Sequence, residues 1–198
     1  EKKFFKVDAR TKQQLQKLAD EFSVEDAAEI KRTETITNHD VKAVEYFLKD
    51  KLESFGAGAL KEWVHFGLTS QDINNTAIPL LWKDAIEQEY LPAVLNLQMN
   101  ISRLANKWKS WENVPMLART HGQPASPTRL GKELFVFVER LENQVQLFSY
   151  IPFTAKFGGA TGNFNAHHVA YPKFNWIKFA DEFVEDKLGL QRQQYTTQ

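Results

Sequence analysis

The 198-residue chain contains no cysteine, which excludes disulfides and thiolate metal sites and fits a reducing cytoplasm. No charge of one sign prevails. Twenty-five Lys and Arg balance 25 Asp and Glu, so the basic excess that marks a general nucleic-acid surface is missing. A local anion pocket needs only a few donors and stays open. No run of about 18 apolar residues occurs, so no membrane span is expected. The N-terminus, Glu1-Lys2-Lys3-Phe4, lacks both an initiator methionine and the apolar stretch of a secretory signal, and the natural protein is expected to begin earlier. Strand-like alternation of useful length, internal repeats, charge blocks and low-complexity linkers are absent too. What is present is 42% hydrophobic and 13% aromatic residues, enough apolar material for a packed core. The length suits one domain, or one domain and part of another.

The pattern that remains is helical, and the expected fold class is all-α. From Tyr90, apolar residues recur at Val94, Leu97, Ile101, Leu104, Trp108 and Trp111. Alternating steps of four and three give one apolar face on a long helix. Pro92 suits its first turn, where an N–H is not needed. A second stripe runs through Leu130, Leu134, Phe137, Leu141, Val145 and Phe148, with Ser126-Pro127 before it reading as an N-cap followed by proline. Shorter helices are expected after Asn38, with Val41, Val44, Leu48 and Leu52 on one face, and from Ser70 through Ile73, Ala77 and Leu80. Two more are expected around Asp8 to Phe22 and Asn175 to Leu188, the latter ended by Gly189. Two helices alone cannot bury both long stripes, which implies a multi-helix bundle extended by other subunits. The expected division is an N-terminal helical domain over 1–75 and the first part of a long-helix bundle over 76–198.

Polar chemistry gathers between the helices. Three segments each set hydroxyl or amide residues beside a histidine at the mouth of an expected helix: Thr37-Asn38-His39-Asp40, His65 to Thr76, and Ala118 to Thr128 around His121. Helix N-termini suit carboxylates and phosphates. Thr37-x-x-Asp40 and Thr69-x-x-Asp72 also match a capping box broadened to Asp, so capping and anion binding both stand as readings. A histidine is a natural general acid near neutral pH. Beside His121, Gly122 leaves room for a ligand, and Pro124 and Pro127 stiffen the adjoining turn. The glycine-rich run Lys156 to Asn163 has no Gly-Lys-Ser/Thr and reads as a tight turn with close backbone contacts. His167-His168 suggests no metal, because adjacent helical residues do not share a face.

These segments, in this order, resemble blocks of the adenylosuccinate lyases, of the fumarase and aspartase superfamily. Thr37 to Glu45 resembles the first block, His65 to Asn75 the second, Arg119 to Thr128 the third, and Tyr195 to Gln198 the start of a further one. The resemblance implies helical homotetramers with active sites shared between subunits, and no metal or organic cofactor. It implies a small nucleotide substrate: cleavage of adenylosuccinate to AMP and fumarate, and of the succinyl-carboxamide ribotide of purine biosynthesis to its amide and fumarate. Partners of the nucleic-acid or membrane kind are not implied. By the same resemblance, His121 matches the general acid, and His65 a supporting histidine. Asn38, His39 and Asp40 match the nucleotide contacts, Thr69 and Ser70 those to the succinyl carboxylate, and Gln198 a substrate-binding glutamine.

The resemblance also marks departures. The family's general base is a serine on a glycine-serine loop, and no Gly-Ser-Ser stretch occurs in the chain. The N-terminal Arg-Tyr pair that holds the phosphate is missing as well. The chain is therefore expected to be a fragment, inactive by itself. A sister lyase such as argininosuccinate lyase, or a non-catalytic helical scaffold of the superfamily, are the alternative readings.

Overall fold

Side-chain caps start the first three helices. In α1 (Ala9–Asp20) the Asp8 carboxylate accepts the Thr11 N–H at 2.7 Å. α2 (Val24–Thr37) opens on a complete capping box, in which Ser23 Oγ accepts from Asp26 N–H and the Asp26 carboxylate accepts from Ser23 N–H, both at 3.1 Å. No residue of α2 is buried, which is why hydrophobic spacing did not predict this helix. It ends at Asn38, in the left-handed conformation at φ 50°. α3 (Asp40–Ser54) then buries Val41, Ala43, Glu45, Phe47 and Leu52. Its inner face thus turns away from Val44, which was expected to lie on it and is 38% exposed. The expected Thr37–Asp40 capping box does not form, because Thr37 is still the last residue of α2. His39 is the N-cap instead, its Nδ1 accepting the Lys42 N–H at 3.2 Å. The computed structural model describes Phe4, residues 6–107 and residues 113–198.

The chain forms two compact units, one of residues Glu1–Ala77 with Ala155–Gln198 and one of Ile78–Thr154. Segment 155–198, expected to belong with the long helices, thus returns to the first unit. α4 (Ser70–Ala85) carries Pro79 in its interior. It runs through a π-helical turn at Ile86–Tyr90 into α5 (Leu91–Lys107). Pro92 was expected in the first turn of a separate helix, yet the helical path passes through it. The wider π turn falls where a proline leaves a carbonyl without its donor.

In the second unit α5 packs on α6 (Leu130–Ser149). Trp108 and Trp111 of the expected stripe lie outside the described residues. Leu97, Leu104 and Phe137 are each about half exposed, so the two stripes do not bury one another. The expectation that strands are absent is overturned between the two helices. Strands β1 (Pro115–Thr120) and β2 (Gln123–Arg129) pair antiparallel, from Pro115 opposite Arg129 to Thr120 opposite Gln123. Ser126 and Pro127 therefore lie in β2, and Arg129 stands at the N-cap of α6 without a side-chain cap bond. Prolines at 124, 127 and 115 hide this ribbon from a pattern search. A two-stranded ribbon tolerates them because its outer edges need no ladder donors.

The first unit has an aromatic core built by its C-terminal stretch. Phe164, Trp176 and Ala180 are buried, with Phe66, Phe157, Tyr171, Phe174 and Phe179 packed around them. They hang on α7 (Asn165–Ala170), α8 (Trp176–Asp181) and a π-helical continuation, Glu182–Lys187. Gly189, at φ 63°, ends that continuation as its position in the sequence predicts. Short strands β3 (Thr154–Ala155) and β4 (Gln191–Arg192) pair beside it.

His167 sits inside this core, 1% exposed, with its ring 4.7 Å from Trp176. Neither ring nitrogen has a hydrogen-bond partner. Burial pushes its pKa below the ordinary 6.5, against the pull of Asp72 and with a small push from His168. A depressed value means that the unfolded chain takes up a proton which the folded one refuses. Stability is therefore whole above about pH 6.5 and falls as the pH drops from there towards the folded value. Replacement by phenylalanine should flatten the stability of the protein between about pH 7 and 5, measured as denaturation midpoint against pH. An unchanged slope would mean that His167 is not the group responsible.

Candidate active site

The first two polar segments meet in the first unit. His39 at the mouth of α3 and Ser70 at the mouth of α4 lie side by side, with His39 Nε2 and Ser70 Oγ 3.2 Å apart. Because Nδ1 of this ring accepts the Lys42 N–H, a neutral imidazole carries its proton on Nε2. Ser70 Oγ is then an acceptor towards His39, and its own O–H is left to point at a ligand. One turn further along α4, Asn74 Nδ2 donates at 3.2 Å to Oδ2 of Asp40, the residue after His39. The backbone N–H of Val41 and then this amide hold the Asp40 carboxyl below its ordinary pKa. Asn38, His39 and Asp40 are exposed, while Thr69 and Ser70 are half-buried.

His65 opens the second segment in a left-handed conformation, φ 64°. Burial lowers its pKa, opposed by the Glu45 carboxylate, reinforced by Lys42 and opposed again by Asp72. The neutral imidazole is thereby favoured. Below it, Asp72 is the residue that sequence reasoning undervalued. Of the expected Thr69–Asp72 capping box one arm forms, the Thr69 N–H donating to Asp72 Oδ2 at 2.8 Å. The same carboxylate accepts from the Gly158 and Gly159 N–H groups, both at 3.0 Å, and from Lys156 Nζ at 2.9 Å. The glycine-rich run is thus the tight turn expected, and the anion that its amides hold is the protein's own. The available signal was a lysine inside an otherwise apolar, glycine-rich stretch.

Gln198 is exposed near the end of this unit, shortly after Thr196, whose backbone oxygen abuts Gly162.

The third segment belongs to the second unit, where it is the tip of the β1–β2 ribbon. His121 at φ 50° and Gly122 at φ 76° form a two-residue turn between the paired Thr120 and Gln123. Two successive left-handed residues are the requirement of a type I′ hairpin, whose twist matches that of its strands. Both are exposed. The imidazole therefore stands at a hairpin tip, open to a proton acceptor. Among the described residues no group of three His, Cys, Asp or Glu could hold a metal ion, and no helix is long and apolar enough to cross a membrane.

The helical fold is shared with solved lyases and cycloisomerases. The fumarate lyase of Mesorhizobium sp. BNC1 superposes with a TM-score of 0.69 at 20% identity, over 96% of this chain and 42% of that one. The 3-carboxy-cis,cis-muconate lactonizing enzyme of Pseudomonas putida gives 0.67 at 23%, over 89% and 38%. The family model described as Lyase matches residues 3–197, and the chain belongs to that family. Among curated relatives, adenylosuccinate lyase of Dictyostelium discoideum is 50% identical over 90% of this chain and 39% of its own length. That of Escherichia coli K12 is 46% identical over 89% and 38%, and that of Vibrio cholerae 44% over 96% and 41%. The chain thus spans about two fifths of the length of the curated relatives it matches.

Proposed function

We propose that the full-length protein is an adenylosuccinate lyase, which eliminates fumarate from adenylosuccinate to leave AMP, and from the succinyl-carboxamide ribotide to leave its amide. The observation that carries this reading is the meeting of His39 with Ser70 and of Asp40 with Asn74, each at 3.2 Å. It brings the residues assigned to the nucleotide and to the succinyl carboxylate to one surface. Asn38, His39 and Asp40 bind the nucleotide portion, Thr69 and Ser70 donate to the carboxylate, His65 supports them, and Gln198 adds a further contact. As the C–H and C–N bonds break and the C=C bond forms, a base outside the residues named here takes the carbon-bound proton. His121 gives a proton to the departing nitrogen. Negative charge gathers on the carboxylate side, where fixed donors lower the barrier.

The reading has the enzyme work as a homotetramer with shared sites, in the cytoplasm, within purine biosynthesis and without a cofactor. The half-exposed Leu97, Leu104 and Phe137 of the long helices support burial against further helices. The test is fumarate release by the full-length protein from adenylosuccinate, the carboxamide ribotide, argininosuccinate and aspartate. Release from the first two is expected. Release from argininosuccinate alone would make it a sister lyase, and release from none would leave a scaffold.

A further inference from the structure

We propose that Asp72 and Lys156 are positioning residues of the elimination, holding the Thr69-Ser70 turn rigid before substrate arrives. The proposal rests on the lyase reading for what Ser70 does, and on geometry for how it is held. Asp72 and Lys156 are 4% and 3% exposed, too buried to meet a ligand themselves. The four hydrogen bonds to Asp72 are shared equally between its two oxygens. Thr69 N–H, at the start of α4, and Gly159 N–H converge on Oδ2, while Gly158 N–H and Lys156 Nζ converge on Oδ1. Lys156 Nζ also donates to Gly159 O at 2.7 Å, and Lys156 O accepts from Thr76 Oγ1 at 3.2 Å on the same helix. The glycine-rich loop is therefore fastened to α4 at Asp72 and, one turn further on, at Thr76.

A second clamp acts on the other flank. Gly67 is at φ 66°, and a Cβ there would lie 2.7 Å from the His167 ring, while Gly67 O lies 3.2 Å from where a Cβ of Gly159 would be. The segment leading into Thr69 is pinned between the aromatic core and the glycine loop. A buried ion pair is weak evidence for stability as such, because its desolvation offsets its attraction. Its retention under a substrate-facing turn has a different reason. Donors fixed in advance need no reorganisation in the transition state, and misplacement of about 1 Å can cost about 100-fold in rate.

The experiment is a double-mutant cycle in the full-length protein. Ser70→Ala, Lys156→Met and Asp72→Asn are compared singly and in pairs, with circular dichroism reporting folding. Lys156→Met is the milder lesion, since three backbone N–H groups still hold Asp72. If the pair acts through the turn, Ser70→Ala lowers kcat/KM by about tenfold or more in the wild type. In the Lys156→Met or Asp72→Asn background it does so by less than about threefold. Lys156→Arg should restore part of the loss. Equal costs of Ser70→Ala in all backgrounds would make the pair merely structural and overturn the proposal.

Amide exchange in the wild type decides the matter if the variants do not fold. The Thr69 amide should exchange slowly in the free protein and gain little protection from added fumarate. Fast exchange that slows only with fumarate would overturn the proposal as well. Wild-type turnover is measured first on all four succinyl and aspartyl substrates. Its absence would sink the lyase reading, while the exchange experiment would still judge the clamp.

Discussion

Replacing His121 with asparagine in the full-length protein is expected to slow fumarate release by about 100- to 10,000-fold, the range that a lost general acid costs. Asparagine is the informative choice because it tolerates the left-handed backbone that His121 adopts at φ 50°. The hairpin turn should therefore persist, and thermal unfolding should be nearly unchanged. The imidazole is exposed at the tip, so removing it leaves no cavity. Asparagine keeps a hydrogen-bond donor yet cannot give up a proton near neutral pH. The loss should appear in kcat as well as in kcat/KM, and single-turnover measurement should locate it in the chemical step. A rate within about threefold of the wild type, far below that expected range, would remove His121 from the acid role.

The second large effect concerns Gly162. At φ 77° it needs a residue at ease in the left-handed region, and a Cβ there would collide with the backbone oxygen of Thr196. A backbone atom has no rotamer to move to, so the loop or the C-terminal stretch must shift. Gly162→Ala should destabilise the protein by about 2–4 kcal/mol. Gly56 provides the control. It has nearly the same φ, 76°, but nothing lies within 4 Å of its missing Cβ, so Gly56→Ala should carry only the conformational cost of about 1–2 kcal/mol. Denaturation midpoints of the two variants check the difference. Equal shifts would show that contact with Thr196 contributes nothing.

Local chemistry made much of the helical fold legible. Gly189 ends the last helix where its place after Leu188 predicts, and Asp8 and Ser70 mark helix starts. Hydrophobic spacing located α5 and α6 because helices of their length repeat the period several times. It failed on α2, which buries nothing, and on the β1–β2 ribbon, whose prolines break the usual strand signature. The ribbon was nevertheless written into His121-Gly122, a pair able to take two left-handed positions in succession. Without the knowledge that flanking segments pair, that signal is ambiguous.

The same division runs through the site. Which residue types could do acid, binding and capping chemistry was determined by the sequence alone, because side-chain chemistry is local. The resemblance of the three blocks to a lyase family likewise needed no coordinates. Which partners those residues find was decided only by tertiary structure. Asp72 meets Lys156 across 84 positions and His39 meets Ser70 across 31. Such pairings depend on how the chain folds back, and a linear pattern records only neighbours. The carboxylate that looked like half of a helix cap became the anchor of a distant loop, since burial required every one of its acceptor sites to be met.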